Sequence, residues 1–536
     1  MRAIFNDNKS IYFDNITTNE EDVLWNELSV ESPNTFVDSS DSMWDGVYRK
    51  YNRSKRKIAR PLFSILRGIC KKYNFPLDIV DNRGKPEYSP ISHEDVDENF
   101  LPGITLDEHQ VRSIKQACRI ECGIFSIPTG GGKGEIICGV CKAIDCPTVI
   151  IAEEKIVIDQ LKSRLELREI KSDIGLFYAG KRPSGQSIVV GSIQSLQTPP
   201  PIKDIDSRAI GETKESYEKR LKKWESSLKA YKTRLKNARY LQKYIKAADM
   251  VIVDECDKAT SDPYKKLFRH WFSGRRRYGF SGTPFDPEKP VEALVMQEHL
   301  GSVIAKESRR KLVEIGRIIS CDYMMLGIGP FSGNNESSAY DIARDEHIVN
   351  SPSFHMLIAK TAKKYKGDGT LVLVDREILG YALVAAMAKV GLTAHYIFGK
   401  TPKKRRDEHL RAFERREFDV LIGGKIINRG LDLSGGCENL IVATGGKLQS
   451  EFEQKIGRAL RRNKNGKSRV IDFFFRCNKY LYKHSKARLQ IMVNNEYDTK
   501  VIFPGGSFTG EELIKRRFQI PKKYFIPNRQ KKLFDK

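Results

Sequence analysis

Two series of short apolar runs, each closed by glycine or a polar residue, constrain this chain more than any other feature. GIFSIPTG, PTVIIAEE, SIVVGSIQS, DMVIVDEC and RYGFSGTP make the first series, within 96–310. TLVLVD, TAHYIFG, DVLIGG, NLIVATG and SRVIDFFF make the second, within 311–480. Helix-like stretches separate the runs. Near-continuous apolar strands alternating with helices specify a parallel sheet covered on both faces. Such sheets place ligand loops beyond the carboxyl ends of their strands. The fold class is therefore α/β: two tandem lobes, each a parallel sheet flanked by helices, with a cleft between them.

The flanks differ in character. Residues 1–95 mix strand-like pieces (IFNDNKSIYFD, LDIVD) with a helix candidate, PLFSILRGICKKYNF, and read as a small α+β domain. Within it, MWDGVYRKYNRSKRKIARP interleaves aromatics and cations, with Trp44, Arg49 and Arg53 prominent. That pattern suits stacking on bases plus phosphate neutralisation, and equally a hairpin with a solvated basic face. Residues 481–536 are basic and read as a partly ordered tail or docking segment.

An insertion at about 198–247 interrupts the first series. TPPP breaks the chain, and a charged stretch follows at 212–247. Tyr217, Leu221, Trp224, Leu228, Tyr231 and Leu235 alternate spacings of four and three. This is a heptad seam on a helix of about 50 Å. The seam needs a surface: the first lobe, a coiled-coil partner, or a nucleic acid that the helix guides.

Charge narrows the partners. Lysine and arginine number 93 against 68 aspartates and glutamates, a net charge of +25. Such a surplus expects an anionic partner, nucleic acid before a membrane surface. No run of about 18 apolar residues offers a membrane span. The start, MRAIFNDNKS, lacks the pattern of a secretion signal, and LFDK carries no lipidation motif. Ten scattered cysteines suit a reducing, cytoplasmic setting.

The chemistry concentrates in a few places. In SIPTGGGKGE a buried strand, a glycine-rich turn and a helix follow in order. Backbone N–H groups of Thr129, Gly130, Gly131, Gly132 and Gly134 and the cation of Lys133 would cradle the phosphates of ATP. The residue after the lysine is usually a hydroxyl that binds Mg²⁺; here it is Gly134. Water can take that place, because Mg²⁺ keeps several waters. In VIVDECDKA, Asp254 and Glu255 leave the end of a buried strand. The first suits Mg²⁺ and the second a general base for water. Ser281 and Thr283 in RYGFSGTPF end another strand, and could form an ordinary turn. Gln454, Arg458 and Arg461 in QKIGRALRR have helical spacing. The two arginines would reach a γ-phosphate across a cleft, or form a solvated basic face.

In this order these elements resemble a superfamily 2 helicase over about 96–480, with RecA-like lobes. PTGGGKG is similar to motif I, DECD to motif II, SGTP to motif III and QKIGRALR to motif VI. The resemblance places Gln110 of LDEHQ on adenine. Ser192 and Gln194 of VVGSIQSL fall on the nucleic-acid strand, as motif Ib does. Gly430 and Asp432 of IINRGLDL lie near the ribose, as motif V does. Ser281 and Thr283 then couple the lobes. TLVLVDREILGYAL is similar to motif IV. MWDGVYRKYNR and RDEHIVNSP are similar to stretches of the UvsW-like helicases of T-even phages. The insertion and Gly134 depart from that family. The resemblance implies an ATP- and Mg²⁺-dependent motor on duplex or branched DNA, or on RNA–DNA hybrids. It would serve branch migration, fork regression and R-loop or D-loop dissolution in replication, recombination and repair, in the host cytoplasm if phage-encoded.

Cys118, Cys122, Cys138 and Cys141 have metal-like spacings. Two of them fall on the helix after the phosphate loop, where packing thiols are expected rather than zinc. His270, His395 and His409 show no partner pattern. Three other readings stay open: an RNA helicase of the same superfamily, a nucleic-acid-binding scaffold whose ATPase is weakened at Gly134, and a motor subunit within a defence or restriction complex.

Overall fold

The computed structural model describes residues 1–32, 45–171, 173–204, 212–286, 289–329, 339–424, 437–446 and 467–521. They belong to two compact units. The first is Met1–Ile127 with Gly132–Lys306, and the second is Pro128–Gly131 with Glu307–Lys536.

The first unit opens with a small sheet. β1 (Arg2–Phe5) pairs antiparallel with β2 (Ser10–Asp14). β3 (Ser29–Glu31) and β4 (Val47–Arg49) form a separate pair. β5 (Lys57–Ala59) pairs with β2, and β6 (Asp78–Asp81) runs parallel to β1. The basic stretch is therefore not a single hairpin, because its two strands join different sheets, with one bridge between Asn52 and Lys57. The helix Phe63–Tyr73 buries Leu66, Ile69 and Cys70 and ends at Asn74, which is left-handed at φ 55°.

Seven parallel strands follow: β7 (Cys122–Ser126), β8 (Thr148–Ile151), β9 (Ile174–Phe177), β10 (Ile188–Gly191), β11 (Met250–Asp254), β12 (Arg276–Ser281) and β13 (Val303–Lys306). Their order is β13-β7-β12-β11-β8-β10-β9. β7, β8, β10, β11 and β12 are buried at every position, which is why each reads as an unbroken apolar run. β9 and β13 are the edges, and the sequence pattern passed over both. Edge strands lose part of their apolar signature to solvent, and β13 buries only Ala305.

Partly buried ion pairs fasten the small sheet to this one. Arg60, 4% exposed, binds Glu121 at 2.7 Å and the Asn8 carbonyl at 3.1 Å. Lys50 binds Glu298 at 2.6 Å.

The insertion is one helix, Lys214–Lys246, begun by Thr213, whose hydroxyl accepts the Ser216 N–H. The heptad seam from Tyr217 to Leu235 is only half-buried. The packed part starts beyond it, at Ala238, Leu241 and Ile245. There Tyr240 donates to the Pro183 carbonyl and Gln242 to that of Leu196, both at 2.8 Å. Only the last turns reach the sheet flank, so the seam continues into the core rather than lying on it. Trp224, midway, donates to the Lys203 carbonyl at 2.9 Å.

His299, on the helix Pro290–Leu300, is 3% exposed and lies against the Ala259 carbonyl at 2.8 Å. Burial holds its pKa down at about 4. The unfolded chain therefore binds a proton near pH 6.5 that the folded chain refuses. Stability should fall as pH drops from about 6.5 to 4, by about 1.4 kcal/mol per unit. Urea midpoints between pH 7 and 4.5 check this, because a His299→Asn variant should show a shallower acid slope.

Among the described residues the second unit holds eight strands: β14 (Ser320–Ile328), β15 (Thr370–Leu373), β16 (Ala394–Ile397), β17 (Val420–Gly423), β18 (Asn439–Val442), β19 (Lys467–Phe475), β20 (Asp498–Phe503) and β21 (Gly506–Thr509). The order is β16-β17-β15-β18-β19-β14-β20-β21, antiparallel only at β20–β21. The sheet thus runs past 480. β20, β21 and the helix Lys479–Asn494 extend it, with Leu489, Met492 and Val501 in its core, so the described part of the basic C-terminal segment is not a tail. Among the described residues no helix is long and apolar enough to cross a membrane.

Candidate functional site

Three strands of the first unit end where sequence placed the chemistry. β7 runs into the glycine turn, β11 into Asp254 and Glu255, and β12 into Ser281. β12 is hydrogen-bonded to both of the others. The Ile127 N–H donates to the Ser281 carbonyl at 3.0 Å, which keeps the β7 and β12 ends level.

The turn is built from backbone. The Gly131 N–H donates to the Pro128 carbonyl at 3.0 Å, and Gly130 sits at φ +88°. Thr129 is half-buried. Gly132, at φ +84°, is the N-cap of the helix Lys133–Ile144. A Cβ at Gly132 would overlap the Gln110 amide. The position is thus closed to side chains twice, by torsion and by space. Gly132→Ala should cost about 1–3 kcal/mol of stability. Denaturant titration would read the loss, and ADP binding should weaken with it.

Gln110 is fully buried on the helix Glu108–Arg119. Its Oε1 accepts the Asp107 N–H at 2.9 Å, which closes a capping box. The residue expected on adenine is therefore anchored at a helix start beside the glycine turn.

Lys133 reaches the end of β11, where its Nζ lies 3.3 Å from Glu255 Oε1. Burial works against its charge, but Glu255 and Asp254 outweigh burial and raise its pKa. Glu255 sits in the left-handed region at φ +52°. A strained non-glycine backbone of this kind is held by its surroundings and is common at working sites. Asp254 is 8% exposed, and burial together with Glu255 pushes its pKa up to about 6. Its Oδ1 is buried with no hydrogen-bond partner. A carboxylate oxygen left so near Lys133 and Glu255 fits a divalent cation, and Mg²⁺ needs only one or two protein carboxylates. No group of three or more His, Cys, Asp or Glu side chains able to hold a metal occurs among the described residues. Cys138 and Cys141 are buried on the helix after the turn, and burial pushes the Cys138 thiol up to about 12.

Gly134 has a tertiary explanation. A Cβ there would overlap the guanidinium of Arg164. Arg164 Nε lies 3.6 Å from Glu135 Oε1, and Arg168 binds Glu135 at 2.9 Å. Glu135 is thus committed to two arginines of the neighbouring helix, and Arg164 fills the space beside Gly134. Nothing in the sequence near Gly134 points to Arg164.

Ser281 is buried and donates to Asp257 Oδ1 at 3.2 Å, while the Thr283 N–H donates to Ser281 Oγ at 3.2 Å. SGTP is thereby tied to DECD. Asp257 stands inside DECD, yet nothing in its local sequence marks its carboxylate as the tie to Ser281.

Ser192 caps the short turn Ile193–Leu196 and bonds Gln194, which is exposed beyond the end of β10. Arg49 and Arg53 both lie over the Trp25 ring, at 4.6 and 4.3 Å, and pair with Asp45 and Asp22. Their aromatic partner is thus internal and came from another segment. Trp44, Gly430, Asp432, Gln454, Arg458 and Arg461 lie outside the described residues.

Residues 103–286 match the family described as type III restriction enzyme, res subunit. Residues 354–463 match the helicase conserved C-terminal domain. No curated protein matches the chain. Similar solved structures include UvsW of T4, at 15% identity and a TM-score of 0.40, over 93% of this chain and 98% of that one. A fragment of a putative HsdR subunit of a type I restriction enzyme from Vibrio vulnificus is 14% identical, TM-score 0.47, over 76% and 71%. Dbp5 of S. cerevisiae bound to RNA and ADP BeF3 is 11% identical, TM-score 0.45, over 78% and 95%.

Proposed function

We propose, on the premise that this chain belongs to the superfamily 2 helicases by its two domain matches, that it is an ATP-driven DNA translocase that remodels branched DNA. The observation that carries the reading is the meeting of Lys133, Asp254 and Glu255 at the carboxyl end of one parallel sheet.

Lys133 and the N–H groups of the glycine turn bind and orient phosphates. Asp254 would hold Mg²⁺, which when bound neutralises phosphate charge. Glu255 accepts the proton of the attacking water, and Lys133 stands 3.3 Å from it. Ser281 transmits rearrangement of the DECD turn to the SGTP loop through Asp257. Gln454, Arg458 and Arg461 are assigned to the γ-phosphate by their motif, and Gly430 and Asp432 to the ribose. DNA as substrate is supported by the net charge of +25 and by the likeness of MWDGVYRKYNR to a stretch of the UvsW-like helicases. Ser192, Gln194 and the basic N-terminal stretch are the proposed contacts, with the helix Lys214–Lys246 as a guiding or docking element. Contacts mostly to phosphates would make binding salt-sensitive and sequence-independent.

One observation favours a second reading, a scaffold with a weakened ATPase: Arg164 occupies the space beside Gly134 where a hydroxyl side chain would stand. Steady-state ATP hydrolysis with Mg²⁺ separates the two. Stimulation by forked or duplex DNA is the expected result. Stimulation by RNA alone would make this an RNA helicase. Nucleic-acid binding without hydrolysis would leave the scaffold.

A further inference from the structure

We propose that a cationic cavity between the small N-terminal sheet and the first parallel sheet is a second phosphate-binding site, separate from the phosphate loop. The cavity has a volume of about 470 Å³. That lies within the usual range for small-molecule sites. Lys9, Arg49, Lys50 and Lys57 line it from the N-terminal segment, and Arg269 and Arg277 from the parallel-sheet side. The one carboxylate in the lining, Glu298, is bound to Lys50 at 2.6 Å.

Arg277 is the anchor. It is 3% exposed, and its Nε is buried with no hydrogen-bond partner. Its other contacts are the Asn8 carbonyl at 3.2 Å and the rings of Phe268 and Phe272 at 5.5 and 5.6 Å. None of these cancels its charge. Burial, with a smaller contribution from Arg60, lowers its pKa to about 10 against the opposing pull of Cys122, Asp7 and Glu298. Burial and Arg277 likewise lower the pKa of Lys9. A buried arginine that lowers the pKa of a half-buried lysine nearby is relieved, with that lysine, by an anion set between them. The guanidinium fork fits a tetrahedral oxyanion, and the flexible lysines supply point charges around it.

Position separates this site from the nucleotide. Arg277 is near the amino end of β12, whose carboxyl end, Ser281, adjoins the phosphate turn. Four strand residues place the two ends about 13 Å apart along the strand. The ligand is a phosphate group, either of a nucleic-acid backbone or of a free phosphorylated small molecule.

The test uses the full chain carrying Lys133→Ala, which silences the phosphate loop, so its outcome does not depend on ATP turnover. The probes are inorganic pyrophosphate by calorimetry and duplex DNA by anisotropy across a salt series. Lys57→Gln with Arg269→Gln changes two side chains that are not buried; Arg277→Gln is run beside it with thermal melting as the folding control. The expected result is at least a tenfold loss of pyrophosphate affinity in both variants. If backbone phosphates are the ligand, the double variant also lowers the slope of log affinity against log salt by about one to two. If the slope holds while pyrophosphate is lost, the ligand is a free phosphate compound. Unchanged pyrophosphate affinity together with an unchanged slope overturns the proposal. If Arg277→Gln fails to fold, the double variant decides alone.

Discussion

Replacing Glu255 by glutamine is expected to lower ATP turnover by roughly 10²–10⁴-fold, the usual contribution of a positioned general base. The substitution keeps the shape of the side chain and removes its charge and basicity. It also releases Lys133, whose Nζ is 3.3 Å from Glu255 Oε1. The freed ammonium can then give its full charge to phosphate. Nucleotide affinity should therefore hold or tighten while turnover collapses. Single-turnover hydrolysis and ADP titration measure the two quantities separately. Turnover within tenfold of the unsubstituted protein would move the base elsewhere, with Asp257, on the same turn, the next candidate.

The second large effect is on stability. Arg488 and Asp472 are both fully buried in the second unit and meet bidentately at 2.7 and 3.1 Å. Tyr323 donates to Asp472 at 2.5 Å, and Arg488 also donates to the carbonyls of Phe473 at 2.9 Å and Gly446 at 3.1 Å. Arg488→Met would leave the buried Asp472 carboxylate without its counter-ion, held by the Tyr323 hydroxyl and the Phe473 N–H. Breaking a buried pair in this way costs about 3–5 kcal/mol. Removing the whole network, with Asp472→Leu and Tyr323→Phe added, should recover most of that loss, because no buried charge is then left over. Urea denaturation of the single and triple variants reads the difference. A single variant within 1 kcal/mol of the parent would mean that water reaches Asp472.

The network also shows how far sequence can see. Arg488 and Asp472 lie on different elements, and neither belongs to a recognisable motif. A lone arginine within KHSKARLQ reads as one more surface cation. Only the packing of the helix Lys479–Asn494 on β19 turns it inward.

The candidate nucleotide site was legible for the opposite reason. Its parts are short contiguous segments at strand ends, and each carries its own local signature. Gly130 and Gly132 are required by positive φ, a property of the backbone at those residues. The buried strands of the first sheet announce themselves because both of their faces are covered.

What sequence alone determined is therefore the α/β class, the tandem sheets and the strand-end placement of Lys133, Asp254 and Glu255. These follow from periodicity and backbone torsion among neighbouring residues. The tertiary structure alone decided the edge strands β9, β13 and β21 and the added strands β14 and β20, the filling of the space at Gly134 by Arg164, and the stacking of Arg49 and Arg53 on Trp25. It likewise decided the convergence of six cations on one cavity. Each of these depends on which distant segments the sheet order makes neighbours, and strand order leaves no mark on the local pattern of any one segment.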